Sequence, residues 1–192
     1  MTQQHRNRCV AQQTPKTSFI VVLNPPLMDL CLSFNAYIYS SHKPNHIMYT
    51  GIQHLHSFLS YLVLIGLLIS FIAALAGWLG NKVYTDKDRK LGLLGLIPVH
   101  LQWVIGLILY FVSPLGMQNF SGEAMGDSVS RLYILEHPLT MIIAVILITV
   151  GYARAKRQIG TDNKGFKSIA IFYGIGLILI LSRIPWNAWP GN

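Results

Sequence analysis

Charge is scarce in this chain. Asp, Glu, Lys and Arg make up 11% of its 192 residues, under half the roughly 25% typical of a soluble globular domain. Hydrophobic residues account for 52% and the mean hydropathy is +0.44, so the composition excludes a water-soluble fold and predicts an integral membrane protein. Acidic residues are scarcest, 7 Asp and Glu against 15 Lys and Arg, and no carboxylate pair suits general acid–base work. The net charge of +8 is explained by basic loops flanking membrane spans, which leaves no reason to invoke nucleic acid. Cysteine is nearly absent: Cys9 and Cys31 form no CxxC pair, and nothing supports a disulfide between them. Phosphate-binding loops are missing, and Ser128 to Arg131 lacks the paired base a hydrolase needs.

Long apolar runs are what the chain does have. Four segments, at about 57–77, 91–112, 133–153 and 166–186, meet the requirement of about 20 apolar residues to cross the hydrocarbon core. The predicted fold is all-α, a membrane four-helix bundle. Its first loop carries Lys82, Lys87, Arg89 and Lys90, and its third carries Arg154, Lys156, Arg157, Lys164 and Lys167. The second has Arg131 among Glu123, Asp127 and Glu136. By the positive-inside rule the first and third loops are cytoplasmic, and both ends of the four-span unit lie outside. Trp78 and Tyr84 would then mark the inner boundary, and Tyr110, Tyr133, Trp186 and Trp189 the outer one. A multi-pass protein of the bacterial inner membrane is expected.

Residues 1–47 differ from the rest. A moderately apolar stretch follows Arg6, Arg8 and Lys16, but Asn24, Pro25, Pro26 and Asp29 interrupt it, which argues against both a signal peptide and a fifth span. The reading is a poorly ordered N-terminal extension, or a natural start at Met48, ahead of a four-span domain at 48–192. Small residues recur on the spans at packing distance: Gly66, Ser70, Ala74 and Gly77 on the first, Gly92, Gly95 and Gly106 on the second. Gly174 and Gly176 on the fourth serve packing too, or leave room for a flat cofactor.

Histidines in such spans are costly without a partner and mark functional candidates. At about 1.5 Å per residue, His54 and His56 fall near the outer edge of the first span, His137 about one turn inside that of the third, and Arg183 about one turn inside that of the fourth. His54 and His56 lie about 200° apart around a helix, so only one can face inward. His56 is the better candidate, because Ser60, Val63, Leu67, Ser70 and Ala74 continue its stripe. Glu136-His137-Pro138 suits a helix start, where Glu136 can fix the imidazole tautomer. His100 is near mid-depth, two residues after Pro98, and is able to bond the backbone carbonyl that the proline frees near Leu94, or to act as a quinone contact, proton relay or second ligand.

Two imidazoles on different helices at equal depth are what a bis-histidine haem b requires. His56 and His137 meet that condition as metal ligands, with Arg183 available to a propionate. His100 is the main alternative ligand, His54 the lesser, and no CxxCH attachment motif exists. About 140 residues from Met48 to Trp186 resemble the small four-span bacterial membrane proteins labelled cytochrome b. The likeness is carried by HLHS at 54–57, GWLG at 77–80, KLGL at 90–93, HLQ at 100–102, GLILYFVSPLG at 106–116, EH at 136–137 and IPW at 184–186. It implies a compact bundle that binds haem b. The corresponding expectation is electron transfer with a quinone or a respiratory-complex subunit, in a chain able to form oligomers. The alternatives are a non-catalytic accessory or scaffold subunit, with histidines capping helix ends, and a haem-dependent porphyrinogen oxidase.

Overall fold

The computed structural model describes residues 46–187 and 189. Their long elements are four helices: α1 (His46–Leu79), α2 (Asp86–Val112), α5 (His137–Lys156) and α6 (Lys164–Ser182). Between α2 and α5 lie a 3₁₀ turn (Met117–Asn119), the short α3 (Gly122–Gly126) and α4 (Ser128–Arg131), and one π-helical turn (Leu132–Glu136). Four of these stretches are long and apolar enough to cross a membrane. The chain is a four-span helical membrane bundle. Its outward faces are apolar, with Phe58, Ile65, Ile72, Phe111 and Ile178 all exposed, as lipid contact requires. The expected extension and both cysteines lie outside the described residues.

The spans differ from their sequence boundaries for local reasons. α1 starts at His46, about three turns before position 57, because the amphipathic stretch that precedes the hydrophobic run is still helix-competent. α2 begins at a capping box, in which the Thr85 amide donates to the Asp88 carboxylate at 2.9 Å. The third span is helical from Ser128, although regular α geometry begins at His137 with Pro138 in the first turn. α6 stops at Ser182, so Arg183 is its C-cap and not a residue one turn inside the span. Pro185 explains the stop, since it disfavours helix at the residue before it.

Packing makes a square. α1 meets α2 and α6, and α5 meets the same two. Ser70 Oγ on α1 donates to the Leu91 carbonyl of α2 at 3.0 Å, and Phe71 packs on Gly174 of α6. The His100 ring on α2 reaches Thr149 on α5, and Ile148 on α5 packs on Gly176. Gly174 and Gly176 therefore seat side chains of neighbouring helices, and Phe71 and Ile148 take the room a flat cofactor would need there. One diagonal, α2 to α6, is joined by Tyr173, fully buried, whose hydroxyl donates to the Gly92 carbonyl at 2.8 Å. Leu67, Ala144 and Ile148 are equally buried around it.

The loops at the basic end are paired with each other. The Tyr84 amide donates to Asp162 O at 3.1 Å and the Gly160 amide to Tyr84 O at 2.8 Å. Tyr84 is 1% exposed, with its ring against Gly165 and Phe166. It is a core residue here and does not belong to an interfacial belt. Burial pushes its hydroxyl pKa up. Asn81, with φ of 48°, ends α1 in the left-handed conformation, and its side-chain oxygen accepts from Asn163 at 2.8 Å.

Pro98 has a definite structural consequence. Lacking an N–H, it leaves the Leu94 carbonyl without its helical donor. That carbonyl lies against Gly66 of α1, so closely that a Cβ at Gly66 would collide with it. The freed carbonyl is thus covered by the glycine backbone and not, as the sequence suggested, by His100. Gly66→Ala is expected to cost about 1–3 kcal/mol through overpacking, lowering the thermal unfolding midpoint in detergent. Gly51→Ala, whose added methyl meets nothing within 4 Å, should leave stability unchanged or add up to about 1 kcal/mol of helix propensity, read as an unchanged or higher midpoint. Equal midpoints for the two variants would contradict the close contact.

Candidate functional site

The second diagonal, α1 to α5, is closed at the end of the bundle opposite the basic loops, and it is closed by two histidines. The His56 and His137 rings lie 6.3 Å apart between centroids with an interplanar angle of 75°. The stripe that His56 heads on α1 points inward: Val63, Leu67, Ser70 and Ala74 are all buried. His54 is exposed on another face of the helix.

His137 is oriented by the end of α6. Its Nδ1–H donates to the Arg183 carbonyl at 2.7 Å, which assigns the tautomer and leaves Nε2 as the free acceptor. The orienting group is therefore a backbone carbonyl, not the Glu136 carboxylate expected from sequence. Glu136 is occupied on both oxygens, by Arg131 Nε at 2.9 Å and by Arg183 Nε at 3.6 Å. Both arginines remain partly exposed, at 38% and 48% of their side chains. The three charges sum to one positive charge beside His137.

Pro138 positions this histidine. It cannot donate to the Ile134 carbonyl four residues earlier, and its ring crowds that oxygen. The backbone widens into the π-helical turn Leu132–Glu136, with the His137 amide bonded to Leu132 O. The Tyr110 hydroxyl of α2 supplies the donor that Ile134 lacks, at 3.0 Å. π-turns of this kind concentrate at functional sites because they re-aim one side chain.

α2 forms the wall beside His56 with residues four apart. Gln102 donates to the His56 carbonyl at 2.9 Å. One turn further, Gly106 faces the imidazole, and a Cβ there would lie 2.9 Å from its Cε1. Tyr110 follows. Sequence reasoning missed Gly106 and Tyr110 as site residues, although the spacing 102, 106, 110 marks one face of α2. His56 Nδ1 and Gln102 Oε1 are buried with no hydrogen-bond partner among the described residues. Orphaned atoms of this kind are uncommon in native structures and call for an explanation.

His100 is elsewhere. It stands six residues before Gly106, about 9 Å along α2, and its nitrogens are engaged: Nδ1 with Leu96 O at 2.9 Å, Nε2 with Thr149 Oγ at 3.2 Å. Of the five residues singled out from sequence, the structure brings together His56, His137 and Arg183. The C-terminal segment closes the other flank, where Trp189 donates to Ser60 Oγ at 2.8 Å and stacks on Tyr61.

A metal bound to one imidazole nitrogen lies about 3 Å from the ring centroid, so two imidazoles flanking one ion stand about 6 Å apart. The observed spacing fits that separation. No cluster of three His, Cys, Asp or Glu side chains able to hold a bare metal ion exists among the described residues. The protein donors at this end of the bundle are the two imidazoles, His56 and His137.

The fold and site define a four-span membrane bundle with paired imidazoles at one end. No protein-family model, curated protein or solved structure matches the chain.

Tyr110→Phe removes the donor to a buried carbonyl and should cost about 1–3 kcal/mol, read as a lowered unfolding midpoint in detergent. An unchanged midpoint would show that Ile134 needs no partner from α2.

Proposed function

We propose that this chain is a b-type cytochrome-like membrane protein in which His56 and His137 hold haem b between α1 and α5. The observation that carries the reading is the pair of imidazoles 6.3 Å apart on diagonal helices, one with Nε2 free and the other with a buried, unpartnered Nδ1. Bound iron would supply reversible one-electron exchange.

The protein's own groups have three tasks. The Arg183 carbonyl holds the His137 ring in one tautomer, which raises the basicity of Nε2. Gly106 leaves room beside His56 that any larger residue would fill. The partly exposed Arg183 guanidinium, which reaches Glu136 at 3.6 Å and the Ser182 carbonyl at 3.3 Å, would pair with a propionate at the polar edge, with Arg131 next to it. His100 keeps its backbone and Thr149 partners and is not a ligand in this reading, nor is the exposed His54.

The basic loops at 80–85 and 157–163 would face the cytoplasm of a bacterial inner membrane, placing both ends of the four-span unit and the haem near the outer face. A quinol or another respiratory subunit would then be the redox partner. Only two ligands come from the protein, and no substrate position is needed at the iron.

Protein produced in haem-replete membranes should show a b-type α-band in the reduced-minus-oxidised spectrum. His56→Ala and His137→Ala should each lose most of the haem while still unfolding cooperatively on heating, and His100→Ala should keep full content. A haem-free protein purified as a member of a stable complex would overturn the reading in favour of an accessory subunit. Full haem retention in both ligand variants would refute the assignment of the pair.

A further inference from the structure

The basic end of the bundle holds a groove that the haem reading does not use. It runs between the end of α5 and the start of α6, has a volume of about 330 Å³, and is lined by Arg154, Gln158, Lys164, Lys167, Ile171 and Phe172. Three of these side chains are cations and no carboxylate is among them. The volume is within the range of small-molecule sites.

The cations are not equivalent. Lys164 is matched by Asp162, with Nζ 2.8 Å from the carboxylate. Arg154 and Lys167 have no carboxylate partner among the described residues. Aromatic faces hold them instead: the Arg154 guanidinium lies 5.6 Å over the Phe172 ring and the Lys167 ammonium 5.6 Å over Trp78. The first turn of α6 carries no acidic residue, so its lysines stand at the positive end of the helix dipole. Two of the lining residues thus carry charges with no carboxylate beside them, one held over Phe172 within the groove and one over Trp78 of α1 at its edge. The wall continues along α6 as exposed Ile171 and half-buried Phe172, which belong to the hydrocarbon-facing surface.

We propose that this groove binds one anionic phospholipid, its phosphate between Arg154 and Lys167, Gln158 donating at the rim, and an acyl chain along Ile171 and Phe172. A lipid is favoured over free phosphate because the cationic mouth opens directly onto an apolar, lipid-facing wall. Basic pockets between spanning helices take anionic headgroups by this combination of charge and depth.

Native mass spectrometry of the full chain, released from nanodiscs of phosphatidylcholine with a minor fraction of phosphatidylglycerol, reads the site directly. One phosphatidylglycerol should be retained per chain, with little phosphatidylcholine. The double variant Arg154→Gln, Lys167→Gln should bind it about 30-fold more weakly. Lys156→Gln with Arg157→Gln makes the same charge change at the same end, outside the groove, and should retain the lipid. Unchanged circular dichroism and thermal midpoint in both double variants show that each is folded. Equal loss in the two double variants would reduce the effect to general electrostatics and overturn the site. Equal retention of phosphatidylcholine, or full displacement of the lipid by millimolar inorganic phosphate, would overturn it as well.

Discussion

A backbone carbonyl in hydrocarbon has no water to turn to, and this bundle must satisfy two that its own prolines release. Pro98 frees Leu94 O and Pro138 frees Ile134 O. The first is covered by Gly66, which draws α1 and α2 into close contact. The second takes the Tyr110 hydroxyl, which ties α2 to the start of α5 and stabilises the π-turn before His137. Each proline therefore fixes a helix pair, and the two pairs share α2. Tyr173 secures the α2–α6 diagonal through the Gly92 carbonyl of the same helix. α2 is the helix against which the other three are set.

The histidine pair is a product of this arrangement. Gly66 and Ser70 orient α1 on α2, and the same stripe, continued outward, delivers His56 to the face containing Gln102 and Gly106. The π-turn delivers His137, and the α6 terminus fixes its ring. Loss of either proline-dependent contact would shift one imidazole relative to the other. Packing along α2, from the Gly66 contact at mid-span to the Tyr110 contact beside the site, thus governs the geometry of the pair. The groove at the basic end is formed elsewhere, by α5, α6 and the loop that joins them.

The four spans were legible in the sequence because hydropathy over twenty residues depends on little else. Their ends were not, since those are set by side-chain caps and by prolines just beyond them: Thr85 with Asp88 starts α2, and Pro185 stops α6 ahead of Arg183. The inward choice of His56 over His54 followed from helical spacing, and the burial of Val63, Leu67, Ser70 and Ala74 matches that spacing. What the sequence withheld was pairing. Glu136 was equally suited to an imidazole or to arginines, and only the fold brings Arg131 and Arg183 to it. His100 looked able to bond the carbonyl freed by Pro98, but its ring takes the Leu96 carbonyl, four residues back on the same helix, while Leu94 O lies against Gly66. Tyr84, read as an interfacial aromatic, is buried because two loops distant in sequence pair across it.

The proposed haem site requires His56 and His137 to act together on one iron. Electron paramagnetic resonance of the oxidised, purified protein tests that most directly, because ferric haem held by two imidazoles would be low-spin and by one high-spin. The wild-type protein should be low-spin, and any haem left in His56→Ala or in His137→Ala should be high-spin. A high-spin wild-type protein, or a low-spin signal that survives in both variants, would contradict the pair.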